Sequence, residues 1–147
     1  MKFFPLLALC GCLNFLTAQD FNFGIDHSSL IVNDLQKSGD FYAKVLKLKE
    51  IPHPSNSPGF RWFVLQGNSQ LHLIQKDTVH MKKHKSMHLC LSTQKLDGFI
   101  ENLNKWKISY EDWPGEQNAV TVRADGVRQI YLKDPEGYWI EVNDAKH

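Results

Sequence analysis

Cysteine is scarce in this 147-residue chain: there are three, Cys10 and Cys12 near the start and Cys90, too few for the disulfide framework of a small secreted scaffold. Folding must come from packing. An excess of either charge is also missing. Lys and Arg number 17 against 16 Asp and Glu, which excludes a polybasic nucleic-acid footprint and an acidic disordered tail and leaves a small molecule as the expected partner. No apolar run reaches the roughly 20 residues of a membrane span, and no low-complexity linker divides the chain. What is present is ordinary globular composition, 42% hydrophobic and 12% aromatic, enough for one domain with a real core and too short for two full-sized ones.

The opening MKFFPLLALCGCLNFLTAQD places Lys2 before an apolar stretch from Phe3 to Leu16, broken by Pro5 and Asn14 and followed by the small residues Thr17 and Ala18. That pattern reads as a secretory signal peptide over residues 1–18, cleaved after Ala18, with residues 19–147 as the mature domain and a periplasmic or secreted destination. Its removal takes away Lys2, Cys10 and Cys12, so Cys90 becomes the remaining cysteine and no internal disulfide is expected. Leu9-Cys10-Gly11-Cys12 also resembles a bacterial lipoprotein box, in which Cys12 would be lipidated and would hold the protein at a membrane.

Past residue 24, period-two runs alternate with amphipathic stretches. Residues 25–32 predict a strand, Asn33 or Asp34 a helix cap, and Leu35, Ser38, Phe41, Tyr42, Val45 and Leu46 one face of a helix running to about Lys47. Residues 60–66 and 70–75 flank Gly67-Asn68 as a hairpin, with a short strand near 49–53. The order then repeats. A strand at 87–92 precedes a helix with the stripe Leu96, Phe99, Ile100, Leu103 and Trp106, and strands are expected at 108–113, 119–124, 128–133 and 138–143. The spacing from His27 to His88 nearly matches that from His72 to Glu141, so two copies of one βαβββ unit, over about 25–75 and 86–143, account for the mature chain.

Within those strands sit His27, His72 in Leu-His-Leu, His88 in Met-His-Leu and Glu141 in Ile-Glu-Val. Alternation sends Leu71, Leu73, Met87, Leu89, Ile140 and Val142 toward the helices and the three rings and the carboxylate to the opposite face. Ionisable groups amid apolar strands need a partner or a metal, and three imidazoles with one carboxylate suit a divalent ion; a polar core or an empty binding cup is the other reading. Asp134-Pro135-Glu136-Gly137 predicts a three-residue hairpin loop that sets Glu141 opposite Tyr131, so Tyr131 and Gln129 line the ligand face. A two-residue Gly67-Asn68 turn sets His72 opposite Phe63, placing Arg61 and Phe63 there too, with Arg61 suited to a substrate carboxylate or else a solvated strand-end charge. Cys90 follows His88 onto the same face as a small buried side chain rather than a reactive thiol. Arg123 and Arg128 either contact an anionic substrate or solvate strand edges.

Two stretches carry a family resemblance: IDHSSLIVNDLQKSGDFYAKVLKLK, a strand-helix opening with Phe-Tyr and Leu-x-Leu, and above all RQIYLKDPEGYWIEVND. Over about residues 25–143 the chain resembles the vicinal oxygen chelate superfamily of glyoxalases, fosfomycin-resistance proteins, epimerases and extradiol dioxygenases. The resemblance implies an α+β fold of two βαβββ modules whose mixed sheets curl into a cup with helices outside, and one metal ligand from the first and last strands of each module: His27, His72, His88 and Glu141. It also implies a divalent ion (zinc, nickel, manganese or iron), a substrate chelating it through adjacent oxygens, and modules that in many members pair across a homodimer. A glyoxalase-like lyase or isomerase with Glu141 as ligand and base is the leading expectation. Glyoxalase I members carry a carboxylate where His72 stands, so an iron(II) dioxygenase using His27, His88 and Glu141, or a drug- or metabolite-binding protein without metal, are the alternatives.

Overall fold

The structure is a computed structural model that describes residues 24–77 and 82–146. The leader read over residues 1–18 lies outside the described residues. The first half comprises β1 (His27–Val32), α1 (Leu35–Asp40) running into a π-helical turn (Phe41–Val45), β2 (Lys49–Ile51), β3 (Phe60–Val64) and β4 (Gln70–Gln75). The second comprises β5 (His88–Ser92), α2 (Leu96–Trp106), β6 (Tyr110–Glu111), β7 (Thr121–Val122), β8 (Arg128–Lys133) and β9 (Trp139–Asn143). Each half folds into its own mixed sheet, ordered β1-β4-β3-β2 and β5-β9-β8-β6, with β7 also on β8. The first and last strands of each half pair in parallel, and the remaining pairs are antiparallel. This is the expected α+β repeat.

The local reasons are legible. Asp34 caps α1 by accepting from the Lys37 amide at 2.8 Å, and the turn after it buries Phe41, Tyr42 and Val45. The chain leaves that turn at Lys47, with φ of 59°. Helix α2 buries Leu96 and Leu103 against its sheet and ends on Lys107 in the left-handed conformation. Trp106, expected in the same stripe, is 46% exposed because it occupies the last helical position, beyond the sheet's cover. Met87, expected to pack, is also exposed, since it precedes the first paired residue of β5.

The core lies on the helix side of both sheets, where Phe63, Leu71 and Leu73 of the first and Ile130, Leu132 and Ile140 of the second are fully or almost fully buried. The halves meet at the Asp134–Tyr138 corner. Tyr42 donates its hydroxyl to Asp134 at 3.0 Å, Glu136 accepts from the Asn33 and Asp34 amides at 3.0 Å each, and Tyr138 donates to the Ile31 carbonyl at 2.9 Å. Away from that corner, an apolar groove of about 1160 Å³ runs between the outer strands β1 and β5, lined by Leu30, Leu65, Leu89, Leu91 and Phe99 among others.

Candidate metal and substrate site

Strand register decides which side chains share the ligand face. At the second-half hairpin, the Asp134 amide donates to the Tyr138 carbonyl at 2.9 Å and Gly137 takes φ of 82°, the three-residue loop expected from Asp-Pro-Glu-Gly. Tyr131 therefore stands opposite Glu141. Its hydroxyl donates to Glu141 Oε2 at 2.7 Å and accepts from Gln129 Nε2 at 2.9 Å, so both expected lining residues share that face.

The first-half hairpin departs from expectation. The Leu65 amide bonds the Ser69 carbonyl, enclosing the three residues Gln66, Gly67 and Asn68, and the Ser69 hydroxyl closes the loop onto the Gln66 carbonyl at 2.7 Å. One residue more than a two-residue turn shifts the register by one and exchanges the faces. Trp62, not Phe63, stands opposite His72. Phe63 is buried in the core, and Arg61 lies over Gly39, its fork on Glu50 at 2.7 and 2.6 Å with a third contact to Asp40 at 3.2 Å. Neither Arg61 nor Phe63 is on the ligand face.

Two donor pairs result. In the second half, His88 Nε2 lies 3.1 Å from Glu141 Oε2, while its Nδ1 meets the Lys85 carbonyl at 2.7 Å. A carbonyl only accepts, so Nδ1 carries a proton and Nε2 is the nitrogen turned to the carboxylate. A proton on Nε2, making an ion pair, or a metal ion shared by the two atoms satisfies that contact. Bonds of about 2.1 Å at right angles, as on an octahedral ion, place neighbouring ligand atoms about 3.0 Å apart, so this pair fits one. Burial raises the Glu141 carboxyl, but hydrogen bonds from Tyr131 and Asn143, the Cys90 thiol and the charge of His88 outweigh it and hold the group below its ordinary value, ionised at neutral pH.

In the first half, His27 and His72 stack at 4.4 Å, with Trp62 on the other face of His72 at 3.8 Å. His72 Nε2 is engaged by Gln70 Oε1 at 2.8 Å and His27 Nδ1 by Asp26 at 2.5 Å. Burial and the neighbouring His27 lower the His72 pKa, favouring the neutral ring. Among the described residues of one chain, no three His, Cys, Asp or Glu side chains converge as a metal-binding group, so the four predicted donors stand as two pairs, one on each sheet.

Three participants escaped the sequence reading. Asn143 donates to Glu141 Oε1 at 2.8 Å, and its place two residues beyond Glu141 was a usable signal. Trp62 was hidden by the register slip; its indole Nε1 is buried with no hydrogen-bond partner among the described residues. Nothing in the sequence marks the Lys85 carbonyl. Cys90 does share the face, 3.2 Å from Asn143 Nδ2, but it is exposed rather than buried; partial desolvation and Glu141 push its thiol up to about 11, so it is not a ready thiolate.

Comparison with known proteins agrees with this architecture. The uncharacterized protein YwbC of Bacillus subtilis (strain 168) is 26% identical over 123 residues, covering 80% of this chain and 94% of YwbC. A putative glyoxalase family protein from Bacillus anthracis superposes with a TM-score of 0.71 at 24% identity, covering 88% of this chain and 100% of that one. The oxidase ChaP-H2 gives 0.70 at 17% identity over 85% and 95%, and the lactoylglutathione lyase of Agrobacterium tumefaciens 0.64 at 18% over 83% and 93%. These likenesses are of fold. The profile of the Glyoxalase/Bleomycin resistance protein/Dioxygenase superfamily matches residues 24–142, and with that match, two strand-helix-strand halves and the predicted donors on the sheet faces turned away from the helices, the chain belongs to this superfamily.

Proposed function

We propose that this protein is a metal-dependent, glyoxalase-like lyase or isomerase for a small oxygenated metabolite that chelates a divalent ion through adjacent oxygens. The observation that carries the reading is the approach of His88 Nε2 to Glu141 Oε2, 3.1 Å apart with the other His88 nitrogen tied to a carbonyl. His27 and His72 are the remaining ligands. Because each sheet offers one pair and, among the described residues, no three donors converge in one chain, the four-ligand set is completed between two copies, one lending His27 and His72 and its partner lending the other two.

A bound divalent ion supplies Lewis acidity to two adjacent substrate oxygens. The chain's own groups do the rest. Glu141 is ionised and is the carboxylate placed to take a proton from a substrate carbon beside those oxygens. The Tyr131 hydroxyl and the Asn143 amide each hold one Glu141 oxygen and so fix the plane of the carboxylate. Lys85 fixes the tautomer of His88, and Trp113, half-exposed 5.5 Å from Tyr131, walls the same face.

One observation favours a second reading. His72 is sandwiched between Trp62 and His27 and bonded to Gln70, which leaves His27, His88 and Glu141 as the two-histidine, one-carboxylate set of an iron(II) ring-cleaving dioxygenase. Oxygen uptake with iron(II) distinguishes it from the lyase. Export after residue 18 belongs to the same proposal, and the mass of the mature N-terminus tests it against lipidation at Cys12.

The deciding experiment is metal analysis of protein purified without chelators. One ion per four-ligand site is expected in the wild type, loss of the ion in Glu141→Gln, and partial recovery when His27→Ala and Glu141→Ala chains are co-expressed, since mixed dimers rebuild one intact site. No stoichiometric ion, with small-molecule binding unchanged in His88→Ala, would overturn the enzyme in favour of a binding protein.

A further inference from the structure

We propose that Arg123 is the specificity residue of this site and that the substrate carries an oxyanion group, a carboxylate or a phosphate, beside the oxygens that chelate the metal. The inference rests on the reading above, because it names the chemical class of the molecule received there. It begins with register. Thr121 pairs with Gln129 and Val122 with Arg128 across β7 and β8, and the Arg123 amide continues the ladder to the Val127 carbonyl at 2.8 Å. Directly opposed residues point to the same face, and successive residues alternate. Arg128 points to the helix side, where its fork meets Asp97 of α2, and exposed Val122 shares that side. Thr121 and Arg123 therefore share the face of Gln129, Tyr131 and Glu141.

The electrostatics agree with that placement. The positive charge of Arg123 is felt by three groups of the site, Glu141, Tyr131 and the Cys90 thiol. The lysines described on this face are otherwise engaged: Lys85 is 14% exposed and bonds Glu111 and the Asp112 and Trp113 carbonyls, and Lys133 lies over the Trp139 ring at 4.3 Å. Arg123 instead holds Asp125 at 2.6 Å with the two side chains 42% and 51% exposed. An ion pair this open to water is weak, so an incoming anion exchanges readily with Asp125. The guanidinium fork matches a carboxylate or phosphate with two parallel hydrogen bonds. Asp125 lies in the Ala124-Asp125-Gly126 loop of the same hairpin and acts as a stand-in anion that keeps the fork oriented while the site is free.

The test uses the full chain, with and without bound manganese, and two probes: glycolate for a carboxylate beside a chelating oxygen, inorganic phosphate for a phosphate. Binding is read from the NMR resonance of the Arg123 Nε–H and by calorimetry. A saturable response to one probe is expected, weakened at least about tenfold in Arg123→Gln and strengthened in Asp125→Asn, where the internal competitor is neutral. Which probe responds identifies the group. Both substitutions are at exposed positions, and equal urea midpoints confirm that the variants fold. Equal affinity in wild type and Arg123→Gln, or no saturable response to either probe, overturns the assignment. Anion binding that depends on Arg123 in protein that takes up no metal upholds the anion site and overturns the metal reading instead.

Discussion

Replacing Tyr131 by Phe removes one hydroxyl and leaves the ring, and the structure gives both a magnitude and a pH signature for the loss. That hydroxyl is a buried donor to a buried, ionised carboxylate: Tyr131 is 2% exposed, Glu141 6%, and the bond is 2.7 Å. Hydrogen bonds to charged groups contribute about 1.5–3 kcal/mol, so unfolding in urea at pH 7 should show a loss in that range, a fall in Tm of roughly 5–10 °C for a domain of this size. Gln129 loses its acceptor as well and pushes the value toward the upper end. The bond lowers the folded Glu141 pKa, so its stabilisation is fully present above the unfolded value near 4.5 and disappears as the pH falls through the folded one. The penalty measured below the folded-state titration of Glu141 should therefore be smaller than at pH 7. Measurements are made with EDTA present, so that metal linkage does not enter. An equal penalty at both pH values would refute the donation into an ionised carboxylate, and a negligible penalty at pH 7 would refute the buried bond itself.

Other expectations follow from the corner and the turns. Glu136→Ala deprives the Asn33 and Asp34 amides of their acceptor 103 and 102 residues away and should cost about 1–2 kcal/mol in urea unfolding, with Glu136→Gln intermediate. Gly137→Ala puts a Cβ at φ of 82° and should lose about 1–2 kcal/mol. Gly98→Ala, inside α2 with open space around the new methyl, should gain about 0.5–1 kcal/mol, and a loss there would show that the helix is not free to take it.

How much the sequence revealed depended on whether the deciding signal was local. The helix cap at Asp34 and the register at Tyr131 and Glu141 follow from neighbouring residues and from a turn whose residue types admit one loop length. The first hairpin failed on the same logic. Gly67-Asn68 reads as a two-residue turn, but the Ser69 hydroxyl stabilises a longer one, and that single residue moved Arg61 and Phe63 off the ligand face and put Trp62 on it. The Lys85 carbonyl and the Glu136 cap are backbone partnerships that no residue pattern advertises. Donor identity was legible because a ring or carboxylate between aliphatic neighbours breaks the alternation. Donor convergence is a property of how two sheets are assembled, on which periodicity within a strand is silent.

The corresponding hairpin tips of the two halves are not interchangeable. Among the described residues, Gln66-Gly67-Asn68 is hydrogen-bonded only to Ser69, so residues inserted there would disturb little beyond the loop. Pro135-Glu136-Gly137 is a clasp: lengthening it would draw the carboxylate away from the start of α1 and the Tyr138 phenol away from β1, loosening one half of the molecule from the other. Of two tips with the same loop length, natural variation in size should accumulate at the first and be resisted at the second.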